Sequence, residues 1–310
     1  MELYHLRCLQ AVVEEGGFKR ATTRLHVTQP ALSYQIKQLE QELGTSLFDR
    51  RPGGVNPTEA GRVLYMHART IGEAVARAQR AVEELAEGVV GEIRIGTVNS
   101  IGIYFLPQVL WDMQQTYPSA RPRVHYRDSD EIIDNLLQNR IDLAMVANPR
   151  PDRRLRQETI LVERVSLVCG RSHPFYHRKS VRPSELKGIQ FVALSKENPT
   201  GQLVVKHLHR LGVHVEPVVT TENVETVKKM AEVGLGVAFL PDMVTQQETG
   251  CDGKPGRLAR VQVGPPLTRR IALITWKHFE AGRAVQAFIE LLKSFATNWR
   301  PCIETSTELE

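Results

Sequence analysis

The chain has 310 residues, 42% of them apolar and 24% charged, which excludes a collagen-like or disordered polymer and leaves room for two or three domains. No apolar run reaches the length of a membrane span, the N-terminal stretch has no A-x-A cleavage pattern, and the four cysteines lie far apart without metal-ligand spacing. The expectation is a cytoplasmic chain with reduced thiols, no metal, no cofactor and no membrane partner, whose net charge of +5 permits an acidic partner without requiring one.

In chain order, "LYHLRCLQAVV" at 3–13 places Leu3, Leu6, Leu9 or Gln10, and Val13 at helical spacing, and "EEGG" stops that helix. A short helix near 18–25 leads into "HVTQ", where Thr28 can cap a third helix and Pro30 is tolerated in its first turn. Leu32, Ile36, Leu39 and Leu43 form the buried stripe of that helix. Pro30, Tyr34, Lys37 and Gln41 centre on the opposite face, with Gln29 and Ser33 beside them, the presentation a helix needs to enter a major groove with its first turns. Residues 1–58 hold seven Lys or Arg against six acids, so bulk charge does not point to DNA; what matters is the clustering of four cations from Lys19 to Lys37 with no acid among them. Periodicity alone fits a three-helix cap with solvated outward residues as well as groove binding. After Gly44, Leu47 and Phe48 can anchor a Gly-rich turn from which Arg50 and Arg51 project.

"ATTRLHVTQPALSYQIKQLEQELGTSLFDRR…NPTEAG" resembles the N-terminal signature of LysR-type transcriptional regulators over about 60 residues, in the order T-Q-P, S-x-Q-I, L-E, L-G, L-F-x-R, T-x-A-G. The resemblance implies a winged helix-turn-helix with Thr28, Gln29, Pro30, Ser33, Tyr34 and Lys37 facing double-stranded DNA, Arg50 and Arg51 on the wing, and RNA polymerase as a further partner. Many members carry Arg where this chain has Tyr34; tyrosine could contact a thymine methyl or a phosphate instead.

From Thr58 to Gly88 one helical pattern runs without proline. Leu64, Ala68, Ile71, Val75, Ala78, Val82 and Leu85 alternate four and three apart, a heptad seam. Such a stripe packs either on its own domain or on a second helix; the flanking charges favour the second, so this helix is expected to form the dimer.

"GVVGEIRIGTVNS" then opens alternating strand and helix patterns to about residue 298, which argues for α/β layers with a largely parallel sheet. Two lobes are expected, joined by strands near 163–168 and 268–275. The pattern resembles periplasmic solute-binding proteins and the effector domain of the same regulator family. The expected organisation is a DNA-binding domain at 1–58, a linker and dimerisation helix at 59–88, an effector domain at 89–302 and a tail at 303–310. Lobe I covers about 89–163 and 269–300, lobe II about 164–268.

Ligands of open α/β sheets sit beyond the carboxyl ends of strands. Those ends offer Asn99, Ser100, Ile101, Ala147, Asn148, Ser195, Thr200 and Phe239 for a small acidic or neutral effector, with Ser100 and nearby backbone N–H groups suited to a carboxylate. "GLGVAF" lacks the third glycine of a dinucleotide loop, the histidine pairs lack metal-binding company, and no nucleophile elbow or Walker loop is present. The expected function is therefore a ligand-responsive regulator and not an enzyme, acting as a homodimer or homotetramer on an interrupted near-palindrome.

Overall fold

The computed structural model describes residues 1–51, 54–249, 256–277 and 281–299, with the side chains of Arg50, Arg51, Gly54, Arg77, Arg80, Ala81 and 83–87 outside that description. The chain divides into two compact units between Gly88 and Val89.

In the first unit, α1 (Leu3–Glu15), α2 (Phe18–Leu25) and α3 (Gln29–Leu43) precede a hairpin of β1 (Phe48–Arg51) and β2 (Gly54–Pro57), then the 29-residue α4 (Glu59–Glu87). Leu6, Leu9 and Val12 from α1, Phe18 and Ala21 from α2, and Leu32, Ile36 and Leu39 from α3 close one core. Two stripes sit differently from the sequence pattern. Leu3 and Leu43, each at a helix end, are exposed, and Cys8 and Val12 fill the core instead.

The α4 seam is partly used within its own unit. Ala68 is fully buried, and Leu64 and Ile71 pack against the same core, so the first half of the stripe is used by its own unit. Val75 is half-buried beside α1, lining a small hollow with Leu3, Leu6 and Ile71. Ala78 and Val82 are exposed, and a different apolar row, Val63 and Met66, is exposed on the helix's other side. The Leu85 side chain lies outside the described ones.

In the second unit, β3 (Gly91–Thr97), α5 (Asn99–Tyr104), α6 (Leu106–Thr116), β4 (Ala120–Tyr126), α7 (Ser129–Leu137) and β5 (Leu143–Ala147) precede β6 (Leu155–Gly170). After β7 (Ser180–Val181) come β8 (Phe191–Leu194), α8 (Pro199–Arg210), β9 (Pro217–Thr221), α9 (Val224–Glu232), β10 (Ala238–Pro241) and α10 (Asp242–Thr245). β11 (Leu258–Val263), β12 (Thr268–Trp276) and α11 (Arg283–Asn298) complete the described part. The main sheet runs β4-β3-β5-β12-β6-β11-β7, with β10 also on β6. It is mixed and not largely parallel. β3 pairs in parallel with β4 and β5, but β12 returns antiparallel to both β5 and β6.

β6 is the spine. Its residues from Leu155 to Arg164 pair with β12, and those from Val165 to Gly170 pair with β10 and β11. The change of partner between Arg164 and Val165 separates two lobes. A second tie joins them where Tyr104 at the end of α5 meets α9. Its hydroxyl donates to Glu225 at 2.6 Å and accepts from Lys228. Lys228 lies 2.9 Å from both Glu225 and Glu248. Burial first, and then the bond to Glu225, push the Tyr104 phenol up to about 12.

Candidate functional site

The first candidate surface is the outer face of α3. The α2–α3 turn is set by His26, which closes α2 at φ 55, and by Thr28, whose hydroxyl accepts from the Ala31 N–H at 3.4 Å. With Leu32, Ile36 and Leu39 in the core, Thr28, Gln29, Pro30, Tyr34 and Lys37 are exposed and Ser33 is half-buried. The cation cluster read from sequence disperses in space. Arg24 turns to Glu14 at 2.6 Å and Arg20 to the Glu15 carbonyl at 2.5 Å, both on α1.

The hairpin is held to α3 by Glu40, whose Oε1 accepts from the N–H groups of Leu47 and Phe48 at 2.7 and 3.3 Å. Thr58 donates to the Ser46 carbonyl at 2.8 Å and accepts from the Gly61 N–H at 3.0 Å, tying the start of α4 to the start of the hairpin. A Cβ on Gly61 would lie 2.1 Å from the Leu47 carbonyl oxygen, so only glycine allows that approach. Arg50 and Arg51 stand on β1, with Arg51 opposite Gly54; their side chains lie outside the described ones.

The second candidate is a cleft of about 360 Å³ in the second unit, where the two lobes face each other. One wall is the first turn of α5 with Tyr126, which sits so close that a Cβ on Gly102 would lie 2.3 Å from its ring. The other wall is the β8–α8 loop, where Gly201 lies against the Ser195 carbonyl and brings Thr200 beside Ser195. Asn198 caps α8, accepting from the N–H groups of Thr200 and Gly201 at 2.9 and 3.4 Å. Those amides are therefore already engaged. α5 has no such side-chain cap.

Arg269, on β12 and only 3% exposed, forms the cleft floor. Its Nε donates to Glu163 Oε1 at 2.7 Å, Nη1 to the Thr200 hydroxyl at 3.1 Å and Nη2 to the Ser100 hydroxyl at 3.1 Å. The other oxygen of Glu163 accepts from the Met243 N–H at 3.0 Å. Burial pushes the Glu163 carboxyl up, against the pull of the Arg269 guanidinium and the Met243 N–H. One guanidinium thus joins a residue from each lobe to the strand on which both lobes hang. The Ser195 hydroxyl, in a residue 7% exposed, is buried beside them without a hydrogen-bond partner.

Two family models match this chain. The bacterial regulatory helix-turn-helix model of the lysR family covers residues 3–62, and the LysR substrate binding domain covers 86–297. The chain belongs to the LysR family. It is a DNA-binding transcriptional regulator with a helix-turn-helix and a substrate-binding domain. Among LysR relatives, a probable RuBisCO transcriptional regulator of Cyanophora paradoxa is 30% identical over 77% of this chain and 75% of its own length. A hydrogen peroxide-inducible genes activator of Dickeya chrysanthemi is 27% identical over 82% and 83%. The same fold is found in full-length CbnR complexed with its target DNA, with TM-score 0.69 and 22% identity, covering 95% of this chain and all of that one. It is also found in a full-length OxyR variant from Pseudomonas aeruginosa, with TM-score 0.68 and 23% identity over 96% and 94%.

Within the LysR substrate domain, Asn99, Ser100, Ala147, Ser195 and Thr200 line the cleft. Three residues expected there lie elsewhere. Ile101 is fully buried in the core below α5. Phe239 fills the lobe II core against His207, because both faces of β10 are covered. Asn148, at φ 47, lines an adjacent hollow and accepts from the Arg270 N–H at 2.9 Å. Sequence reasoning missed Arg269 and Tyr126. The charge pattern "TRR" at the expected lobe crossing was the available signal for Arg269. Among the described residues no cluster fit for a metal appears, and no helix is long and apolar enough to cross a membrane.

Proposed function

We propose that this LysR regulator binds an interrupted near-palindrome through paired α3 helices, and that a small effector between the lobes sets the relative arrangement of its subunits. The observation that carries the effector part is the convergence of Ser100 and Thr200, one from each lobe, on Arg269, with the unpartnered Ser195 hydroxyl lining the same cleft. A ligand engaging hydroxyls from both lobes favours one lobe orientation, and differential affinity for two orientations is what shifts an equilibrium. Thr28, Gln29, Pro30, Ser33, Tyr34 and Lys37 are the DNA-facing set, with Arg50 and Arg51 gripping phosphate. Dimer formation falls to the exposed surface of α4, Val63, Met66, Ala78 and Val82, since Leu64, Ala68 and Ile71 are occupied within their own unit. A homodimer or homotetramer working in the cytoplasm with RNA polymerase completes the reading, with no catalytic step and no cofactor beyond the effector.

One relative is a hydrogen peroxide-inducible genes activator. The described thiols, Cys8 and Cys169, are buried and neither lines the cleft, and burial pushes Cys169 up to about 11. The test is binding of the full chain to duplex DNA from its own upstream region, followed by anisotropy at two salt concentrations. Affinity should fall steeply with salt. Salt-independent binding would remove the phosphate-gripping role.

A further inference from the structure

The cleft floor and the cleft rim ask for opposite charges. On the floor, Ser100 and Thr200 each accept an N–H from Arg269, so each keeps its own hydroxyl proton to donate into the cleft. Ser195, only 7% exposed, adds a third hydroxyl with no protein partner. Three hydroxyl donors lining one cleft suit a carboxylate, whose two oxygens offer about four lone-pair sites. The floor nevertheless carries little net charge, because Glu163 balances Arg269 at 2.7 Å.

The rim is acidic. Asp128, Asp130, Glu197 and Glu222 line the mouth and are exposed, while the rim cation Arg127 is already paired to Glu131 at 2.9 Å. Such a mouth repels a dicarboxylate or phosphate ester and attracts a cation. A molecule that carries both charges meets both demands. At about 30 Å³ per water, the 360 Å³ cleft holds about a dozen waters, room for a compact molecule.

We infer that the cleft takes an amino-acid-type zwitterion, its carboxylate against the hydroxyls of Ser100, Ser195 and Thr200 and its cationic group at the rim carboxylates. This rests on the reading of the cleft as the effector site. It replaces the acidic or neutral ligand expected from sequence, where only Lys196 and Glu197 marked the loop as charged.

The test is calorimetric titration and thermal shift of the full chain with the twenty protein amino acids, ornithine and citrulline. Each is compared with its des-amino acid and its decarboxylated amine, and with succinate, 2-oxoglutarate, phosphoenolpyruvate and glucose. At least one amino acid should bind, with both truncated analogues weaker by tenfold or more. Asp130→Asn with Glu222→Gln, both on exposed side chains, should weaken that amino acid at least fivefold and leave its des-amino acid unweakened. Binding by no amino acid overturns the assignment, as does tighter binding of a dianion or the sugar. Ser100→Ala and Ser195→Ala separate the two levels. If a bound dianion or sugar is lost in these variants, the cleft stands and the zwitterion falls. If whatever binds is untouched by both variants, the effector cleft itself is misplaced and the zwitterion falls with it.

Discussion

The outer face of α3 and the floor of the cleft are both polar surfaces, built in opposite ways. On the α3 face the groups proposed to meet DNA come from ten consecutive residues, 28–37, and their direction follows from the leucine stripe behind them. In the cleft, Arg269 is 169 residues from Ser100, 69 from Thr200 and 106 from Glu163. A surface made by one helix can be altered without touching the fold. A site assembled by a buried ion pair cannot, because its chemistry and its stability share the same atoms.

Arg269→Met tests the cleft side of this contrast. It leaves Glu163 buried without its guanidinium and should destabilise the substrate domain by about 3–5 kcal/mol in urea unfolding. Adding Glu163→Met should recover much of the loss, since removing both charges of a buried pair is often close to neutral. An Arg269→Met variant as stable as wild type would mean the pair is ornamental.

Next in size is the contrast within α4. Ile71→Asp places a charge against the core of the first unit and should cost about 2 kcal/mol or more in stability. Val82→Asp, on a residue 67% exposed, should leave melting unchanged and weaken self-association in sedimentation. If Val82→Asp still sediments as the native oligomer, the exposed half of α4 does not carry the dimer.

For the α3 face the expected effects are on DNA alone. Gln29→Ala should cost about 1–3 kcal/mol of discrimination between operator and mutated operator. Lys37→Ala should lower affinity for all sequences and reduce the salt slope by about 1 if Lys37 meets phosphate. Melting curves of both should overlay wild type; a drop would make this face structural. The smallest effect belongs to Thr58→Ala, about 1 kcal/mol of stability from the lost cap at the start of α4.

Periodicity makes the helix-turn-helix legible because its determinants are local: a cap at Thr28, a stripe from Leu32 to Leu39, a glycine at Gly44 with φ 66. On α4 the same periodicity leaves the covering partner open. A heptad stripe says that a face is covered, not by whom, and α1 reaches Ala68 and Ile71 within the same unit. In the second unit the strand-end rule located the backbone of the cleft and so found Ser100, Ser195 and Thr200. It does not fix which way each side chain points, and Ile101 and Phe239 point into cores. Arg269 stayed hidden because a charged residue on a connecting strand acquires meaning only when two lobes close over it.

The long strand β6 and the returning strand β12 also set an order of events during synthesis. Lobe II is the uninterrupted stretch between them, so nearly all of its strands emerge before β12 does. Lobe I begins earlier, yet it lacks its central strand β12 and the helix α11, whose Phe295 and the following Trp299 pack edge-on against Phe105. Until those last segments leave the ribosome, the exposed flank of β5 and the apolar side of α6 have no cover. The half of the domain made first is the half finished last, and a nascent chain stalled before Thr268 presents an open strand edge to its neighbours on the polysome.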